Sequence, residues 1–224
     1  MNNYYAKNLF SDRLEKCYSI ASPRIQQYLD AEIDYVLSKV KPGAGVLELG
    51  CGYGRAMEQL LEKTKNVIGI DSSPNSIAHA KKYLKDKSGW QVQLMDAIDL
   101  RFDDAYFDVV VCIQNGLSAF HENPVRIMSE ALRVTRRGGL ALFSTYAEQF
   151  WNERLKWFRD QAAHGLVGEI DEEKTGNGMI VCKDGFTART FSKGDFHQCA
   201  NIVEMDINLI EIDKSVLFCE IYKN

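Results

Sequence analysis

The run Val46-Leu47-Glu48-Leu49-Gly50-Cys51-Gly52-Tyr53-Gly54-Arg55 constrains this chain more than any other. An apolar strand enters three glycines at alternate positions and leaves as a helix. Glycine is needed where a backbone turns tightly, or where a ligand must approach it with no Cβ in the way. The N–H groups at the start of the helix then face that ligand. A dinucleotide-binding loop is the obvious rival, but it needs GxGxxG, whose last small residue packs helix to strand. Here the pattern is GxGxG and Arg55 stands in that last place, which counts against NAD or FAD. A glycine turn that holds no ligand is the other alternative.

A second strand, predicted over 66–70, ends in Asp71 after room for one helix and one strand, as a βαβ unit requires. A carboxylate there can accept hydrogen bonds from both hydroxyls of a ribose. A third strand ends in Met95-Asp96-Ala97, beside the second βαβ turn and within reach of a nucleobase amino group. Asp99, Asp103 and Asp104 make that loop acidic in any case.

Strand-like and helix-like patterns alternate along the chain, which predicts a parallel sheet with helices on both faces. Ser22-Pro23, Ser73-Pro74 and Asn123-Pro124 each set a capping side chain before a proline that the first helical turn tolerates. Residues 1–40 read as two helices, the second carrying Ile25, Leu29, Ile33 and Val36 at helical spacing. The unbroken apolar runs at 107–113 and 139–145 suit strands buried on both faces. Beyond them the pattern changes: a helix over 147–164 rich in aromatics, and then a hairpin turning at Lys183-Asp184-Gly185. A short helix near 193–200 and an antiparallel pair of strands around 207–212 and 215–222 close the chain. The organisation expected is a single domain over 1–224, with a helical N-terminal cap at 1–40 and an inserted cap at 147–192 over an acceptor site.

Taken in order, ELGCGYG, GIDSS, MDA, FDVVVCIQNGLSAFH and LRVTRRGGLALFS resemble the class I S-adenosylmethionine-dependent methyltransferases over roughly residues 44–145. The resemblance implies a doubly wound, seven-stranded, mostly parallel α/β sheet of order 3-2-1-4-5-7-6 with the last strand antiparallel. It implies S-adenosylmethionine as cofactor, S-adenosylhomocysteine as product, and methyl transfer by in-line displacement to a small-molecule acceptor. Glu48 would orient the methionine part, and Gly50, Cys51, Gly52, Tyr53, Gly54 and Arg55 would pass close to the cofactor. Asp71 would hold the ribose with Ser72 beside it, Asp96 and Ala97 would face the adenine, and Gln114 and Asn115 would border the sulfonium. Family members that methylate base amino groups commonly carry an NPPY-like motif after the fourth strand. This chain has Gln114-Asn115-Gly116-Leu117 there. An NAD-dependent oxidoreductase and a methyltransferase with a protein acceptor remain the alternatives.

In-line transfer from a sulfonium asks the protein to align donor and acceptor and to exclude water; good alignment alone can supply about 7–11 kcal/mol. Tyr4, Tyr5, Phe10, Tyr146, Phe150, Trp151, Trp157 and Phe158 could form the water-excluding cap, though ordinary core is the plainer role for each. His121, after the fourth strand, is the best placed base for an acceptor proton, with Tyr4, Tyr5 and Tyr146 as rivals. An acceptor with a free lone pair would need no base. Arg154, Arg159 and Arg189 could clamp an acceptor carboxylate, but surface arginine is the default.

Composition narrows the partners. Lys plus Arg number 27 against 31 Asp plus Glu, a formal net charge of −4, and the basic residues are scattered, so nucleic acid is disfavoured. The six cysteines form no CxxC and the four histidines add no metal-ligand spacing; reduced thiols in a cytoplasmic protein with no metal are expected. The first residues lack a signal-peptide pattern, and no apolar stretch nears the roughly 20 residues that span a bilayer, so no membrane association is expected.

Overall fold

The computed structural model describes residues 12–224. Two helices come first, α1 (Asp12–Ser19) and α2 (Pro23–Lys39). Then follow β1 (Val46–Leu49), α3 (Arg55–Leu60), β2 (Val67–Asp71), α4 (Pro74–Tyr83), β3 (Trp90–Leu94) and β4 (Phe107–Cys112). A short helix α5 (Gly116–Ala119), α6 (Pro124–Val134) and the long β5 (Thr135–Tyr146) complete the parallel part. Beyond lie α7 (Trp151–Ala163), β6 (Met179–Val181), β7 (Thr187–Arg189), α8 (Lys193–Ile202), β8 (Asn208–Ile212) and β9 (Val216–Tyr222).

The main sheet has the order β3-β2-β1-β4-β5-β9-β8. β1 to β5 pair in parallel, and β9 runs antiparallel to both β5 and β8. This is the expected doubly wound order with its reversed strand. Each proline-marked helix start is capped as expected: Ser22 accepts from the Ile25 N–H, Ser73 from Ser76 and Asn123 from Val125. The apolar faces of the sheet bury two clusters, one around Tyr28, Val46, Met57 and Leu142, the other around Leu47, Ile70, Val110 and Phe143. Burial of Val109, Val110, Val111 and Cys112 explains why β4 is apolar without alternation beyond Asp108.

β5 starts at Thr135, before the predicted run at 139–145, because α6 passes directly into extended chain, with a register shift against Phe107/Val109 of β4. The aromatic-rich segment opens as a 3₁₀ turn at Glu148–Phe150 before α7. β6 and β7 form the separate antiparallel pair, turned at Gly185 with φ +95°. Cys17, Phe158, Ile180 and Phe186 belong to a third small apolar cluster that joins α1, α7 and this hairpin. Among the described residues no helix is long and apolar enough to cross a membrane.

Candidate functional site

The bend after β1 is held by its neighbour strand. Gly50 and Cys51 both donate to the Ile70 carbonyl, at 2.8 and 2.9 Å. Gly50 and Gly52 adopt φ of +75° and +54°, which side chains disfavour. The bend also needs a glycine on β2: a Cβ on Gly69 would stand 2.7 Å from the Cys51 Cβ and 2.4 Å from the Met57 sulfur. Asp71 closes the arrangement. Its carboxylate accepts from the Gly52 N–H at 3.0 Å and from Ser73 at 2.8 Å. Burial lifts its pKa while those two bonds pull it down.

A cavity of about 150 Å³ opens beside the bend. Its floor is Glu48, Gly50–Arg55 without Gly54, and Asp71 to Ser73; Leu14 and Tyr18 of α1, Tyr28 of α2, Gln114, Tyr146 and Trp157 form walls and roof. The bend is not bare. The Phe120 ring lies 3.0 Å from where a Gly50 Cβ would stand, and a Leu14 methyl lies 3.0 Å from the same point on Gly52. Both side chains line the cavity, which is smaller than the roughly 300–1,000 Å³ typical of ligand pockets.

The lining of the cavity carries buried polar atoms. Glu48 is 4% exposed, and its Oε2 has no hydrogen-bond partner. The same holds for Arg55 Nε and Nη2 and Gln114 Nε2, which also line the cavity. Buried polar atoms are ordinarily satisfied, so a group of donors and acceptors left over in one place fits a polar ligand. Burial pushes the Glu48 carboxyl up to about 8, with Asp71 and Glu32 adding to the rise and Arg55 opposing it. The Arg55 guanidinium lies 4.8 Å over the Tyr18 ring. Burial also raises the phenols of Tyr18 and Tyr28 well above their ordinary value and that of Tyr146 to about 12.

The cavity brings together Glu48, Gly50, Cys51, Gly52, Tyr53, Arg55, Asp71, Ser72, Gln114 and Tyr146. Other expected site residues lie outside its lining. Gly54 faces Leu84, Asp96 accepts from the Ile98 N–H at 3.1 Å, and Ala97 is buried in a core cluster. Asn115 turns away: its amide donates to the Arg189 carbonyl at 2.9 Å and accepts from Thr145 at 2.8 Å. His121 follows α5 with φ +53°, and burial lowers its pKa. Tyr5, with Tyr4 and Phe10, lies outside the described residues.

Arg154 corrects the surface default. It is fully buried, donates to the Gly178 and Ala188 carbonyls at 2.9 and 2.8 Å, and stands 4.7 Å over the Tyr146 ring. Arg159 and Arg189 pair with Glu172 and Asp195. The sequence also hid Glu32, Leu14, Tyr18, Tyr28 and Gln161. Glu32 and Tyr28 had one available signal, a polar group on the apolar stripe of α2 between Ile25 and Val36.

Residues 46–139 match the family model described as a methyltransferase domain. The chain is 33% identical over 162 residues to an uncharacterized methyltransferase of Synechocystis sp., covering 66% of this chain and 69% of that protein. It is 28% identical over 167 residues to the 2-methyl-6-phytyl-1,4-hydroquinone methyltransferase of the same organism, over 66% of this chain and 52% of that protein. The matched part spans about half the length or less of several other curated relatives. The solved structure of the PH0226 protein from Pyrococcus horikoshii OT3 shares the fold, with a TM-score of 0.69 at 20% identity over 100% of this chain and 99% of that one.

Proposed function

The chain belongs to the class I S-adenosylmethionine-dependent methyltransferase superfamily, and on that premise we propose that it methylates a small, largely apolar acceptor in the cavity beside the β1 bend. The observation that carries this reading is the group of unpartnered buried atoms on Glu48, Arg55 and Gln114, which line the same cavity as Asp71. One guanidinium, one neutral amide and a carboxyl suit the carboxylate and ammonium of a methionyl end. Asp71 still has acceptor capacity for ribose hydroxyls after its two main-chain bonds. Ser72 lies beside it, and Asp96 and Ala97 follow the neighbouring strand toward the adenine side. Cofactor entry moves Leu14 and Phe120 off the glycines. The third-glycine place held by Arg55, together with the family, sets the NAD reading aside.

The bound sulfonium supplies an activated leaving group, so the protein's task is alignment and the exclusion of water. Tyr28, Tyr146, Trp157 and Phe158 add aromatic side chains to the lining of the cavity. Such walls suit a planar apolar acceptor, in keeping with the hydroquinone named for one relative. A phenolic acceptor reacts as the phenolate, its proton having passed to solvent before the cavity closes. The methyl–oxygen bond then forms as the methyl–sulfonium bond breaks, and neutral S-adenosylhomocysteine leaves. Tyr146, with its pKa near 12, stays neutral and orients the acceptor as a hydrogen-bond partner. The roof formed by α1 and α7 favours a small molecule over a protein acceptor.

The test is calorimetric titration with S-adenosylhomocysteine, with NADH as the control, followed by transfer of labelled methyl to a panel of hydroquinones and to metabolite extracts. Micromolar binding of S-adenosylhomocysteine alone is expected. An absence of binding removes the cofactor assignment, and label incorporated only into protein removes the acceptor class.

A further inference from the structure

Gln114 and Asn115 are consecutive non-glycine residues in left-handed backbone conformation, with φ of +55° and +59°. Residues in that region persist only when their surroundings hold them. Asn115 is held by its own side chain, through Thr145 and the Arg189 carbonyl. The Gln114 main chain is held from elsewhere. Its N–H donates to Glu32 Oε1 at 3.0 Å, across from α2. The same oxygen accepts from Ser144 Oγ of β5 at 2.6 Å and from the Tyr28 hydroxyl at 3.5 Å. Tyr18 then fixes the Gln114 carboxamide by donating to its Oε1, which leaves Nε2 as the buried donor without a partner.

Glu32 is fully buried on the apolar stripe of α2. A carboxyl there costs stability, and an apolar side chain of similar volume often serves a core as well or better. Its Oε1 joins three elements, and one of the three bonds holds the bend at Gln114, which borders the cavity.

We propose that Glu32 is a positioning residue: it holds the Gln114 main chain in the conformation that presents the Gln114 carboxamide to the cofactor. This rests on the cofactor reading given above. Glu32 acts through Gln114, so its effect on binding exists only while the Gln114 side chain is there. A carboxamide at position 32 keeps an acceptor oxygen for the same three donors; a leucine keeps the volume and loses the acceptor.

The experiment is S-adenosylhomocysteine titration of the wild type, Glu32→Gln, Glu32→Leu, Gln114→Ala and the Glu32→Leu/Gln114→Ala double variant, each checked for cooperative unfolding. Glu32→Gln is expected within twofold of the wild type and Glu32→Leu about tenfold weaker. The double variant is expected to bind no more weakly than Gln114→Ala alone. Wild-type affinity in folded Glu32→Leu, or losses that multiply in the double variant, overturns the proposal. A wild type that does not bind the ligand instead overturns the cofactor reading. Hydrogen exchange in the wild type covers the case in which Glu32→Leu does not fold: the Gln114 amide should exchange far more slowly than those of exposed loops. Rapid exchange there shows that the bond does not hold the bend and refutes the assignment.

Discussion

The carboxylate of Asp71 accepts a hydrogen bond from the main-chain N–H of Gly52 at 3.0 Å. The acid that ends β2 and the bend that leaves β1 therefore form one unit, and the ligand-facing backbone is set by the residue proposed to grip the ribose. Removing the acid loses both contributions.

Asp71→Ala is accordingly expected to weaken S-adenosylhomocysteine binding by about 1.5–3 kcal/mol, the scale of hydrogen bonds to a charged group. Asp71→Asn keeps an acceptor for Gly52 and should lose less. Calorimetry on folded variants checks both; equal losses would mean that the bend does not depend on this bond.

Gly54 and Gly138 separate backbone strain from packing. Both have positive φ, +93° and +71°, but a Cβ on Gly54 would stand 2.9 Å from Leu84 while one on Gly138 meets nothing within 4 Å. Gly138→Ala should cost about 1–2 kcal/mol from left-handed strain alone. Gly54→Ala should cost more, by roughly 1–3 kcal/mol of overpacking. Urea denaturation of the two variants measures the difference, and a cost for Gly54→Ala no larger than for Gly138→Ala contradicts the packing argument.

The parallel core was legible because its signals are local. Gly50 to Arg55 and Asp71 are adjacent to the strands that place them, and continuous apolar runs such as 109–112 mark strands covered on both faces. The rest of the cavity is assembled over long separations. Glu32 meets Gln114 and Ser144, which are 82 and 112 residues away, and Tyr18 meets Gln114 across 96. No periodicity records such pairs. The resemblance sets both Gln114 and Asn115 beside the sulfonium, yet in this left-handed pair Gln114 lines the cavity while the Asn115 amide bonds to β7. Arg154 looked like a surface residue because the carbonyls that satisfy it belong to Gly178 and Ala188, beyond its own helix.

Arg154 and Arg159 make a second comparison on α7. Arg154→Ala leaves two carbonyls and the stacked Tyr146, Trp151 and Phe158 faces without their cation. A loss of about 3 kcal/mol or more is expected. Arg159 is half exposed beside the exposed Glu172, so Arg159→Ala should cost below about 1 kcal/mol. Chemical denaturation decides it, and similar costs at the two sites would contradict the burial argument.

Glu48 makes stability depend on pH in the opposite sense from a surface carboxylate. Its ordinary value is 4.5 and burial raises it to about 8 in the folded chain. Between those values the folded protein keeps a proton that the unfolded chain releases, so stability falls as pH rises through the window. Glu32 and Asp71 are raised in the same direction, so the fall belongs to the cluster of acids as a whole. A tenfold difference in proton affinity corresponds to about 1.4 kcal/mol, and a few kcal/mol should be lost from about pH 5 to about pH 8. Glu48→Gln removes one of these protons, so its unfolding free energy should decline less steeply and exceed that of the wild type at the upper end of that range. If an ammonium binds here it favours the ionised Glu48, so S-adenosylhomocysteine should bind more tightly as pH rises toward about 8 and release protons as it does. Titrations in buffers of different ionisation enthalpy count those protons. Proton uptake on binding, or a Glu48→Gln profile parallel to that of the wild type, would show that Glu48 is not the group being titrated.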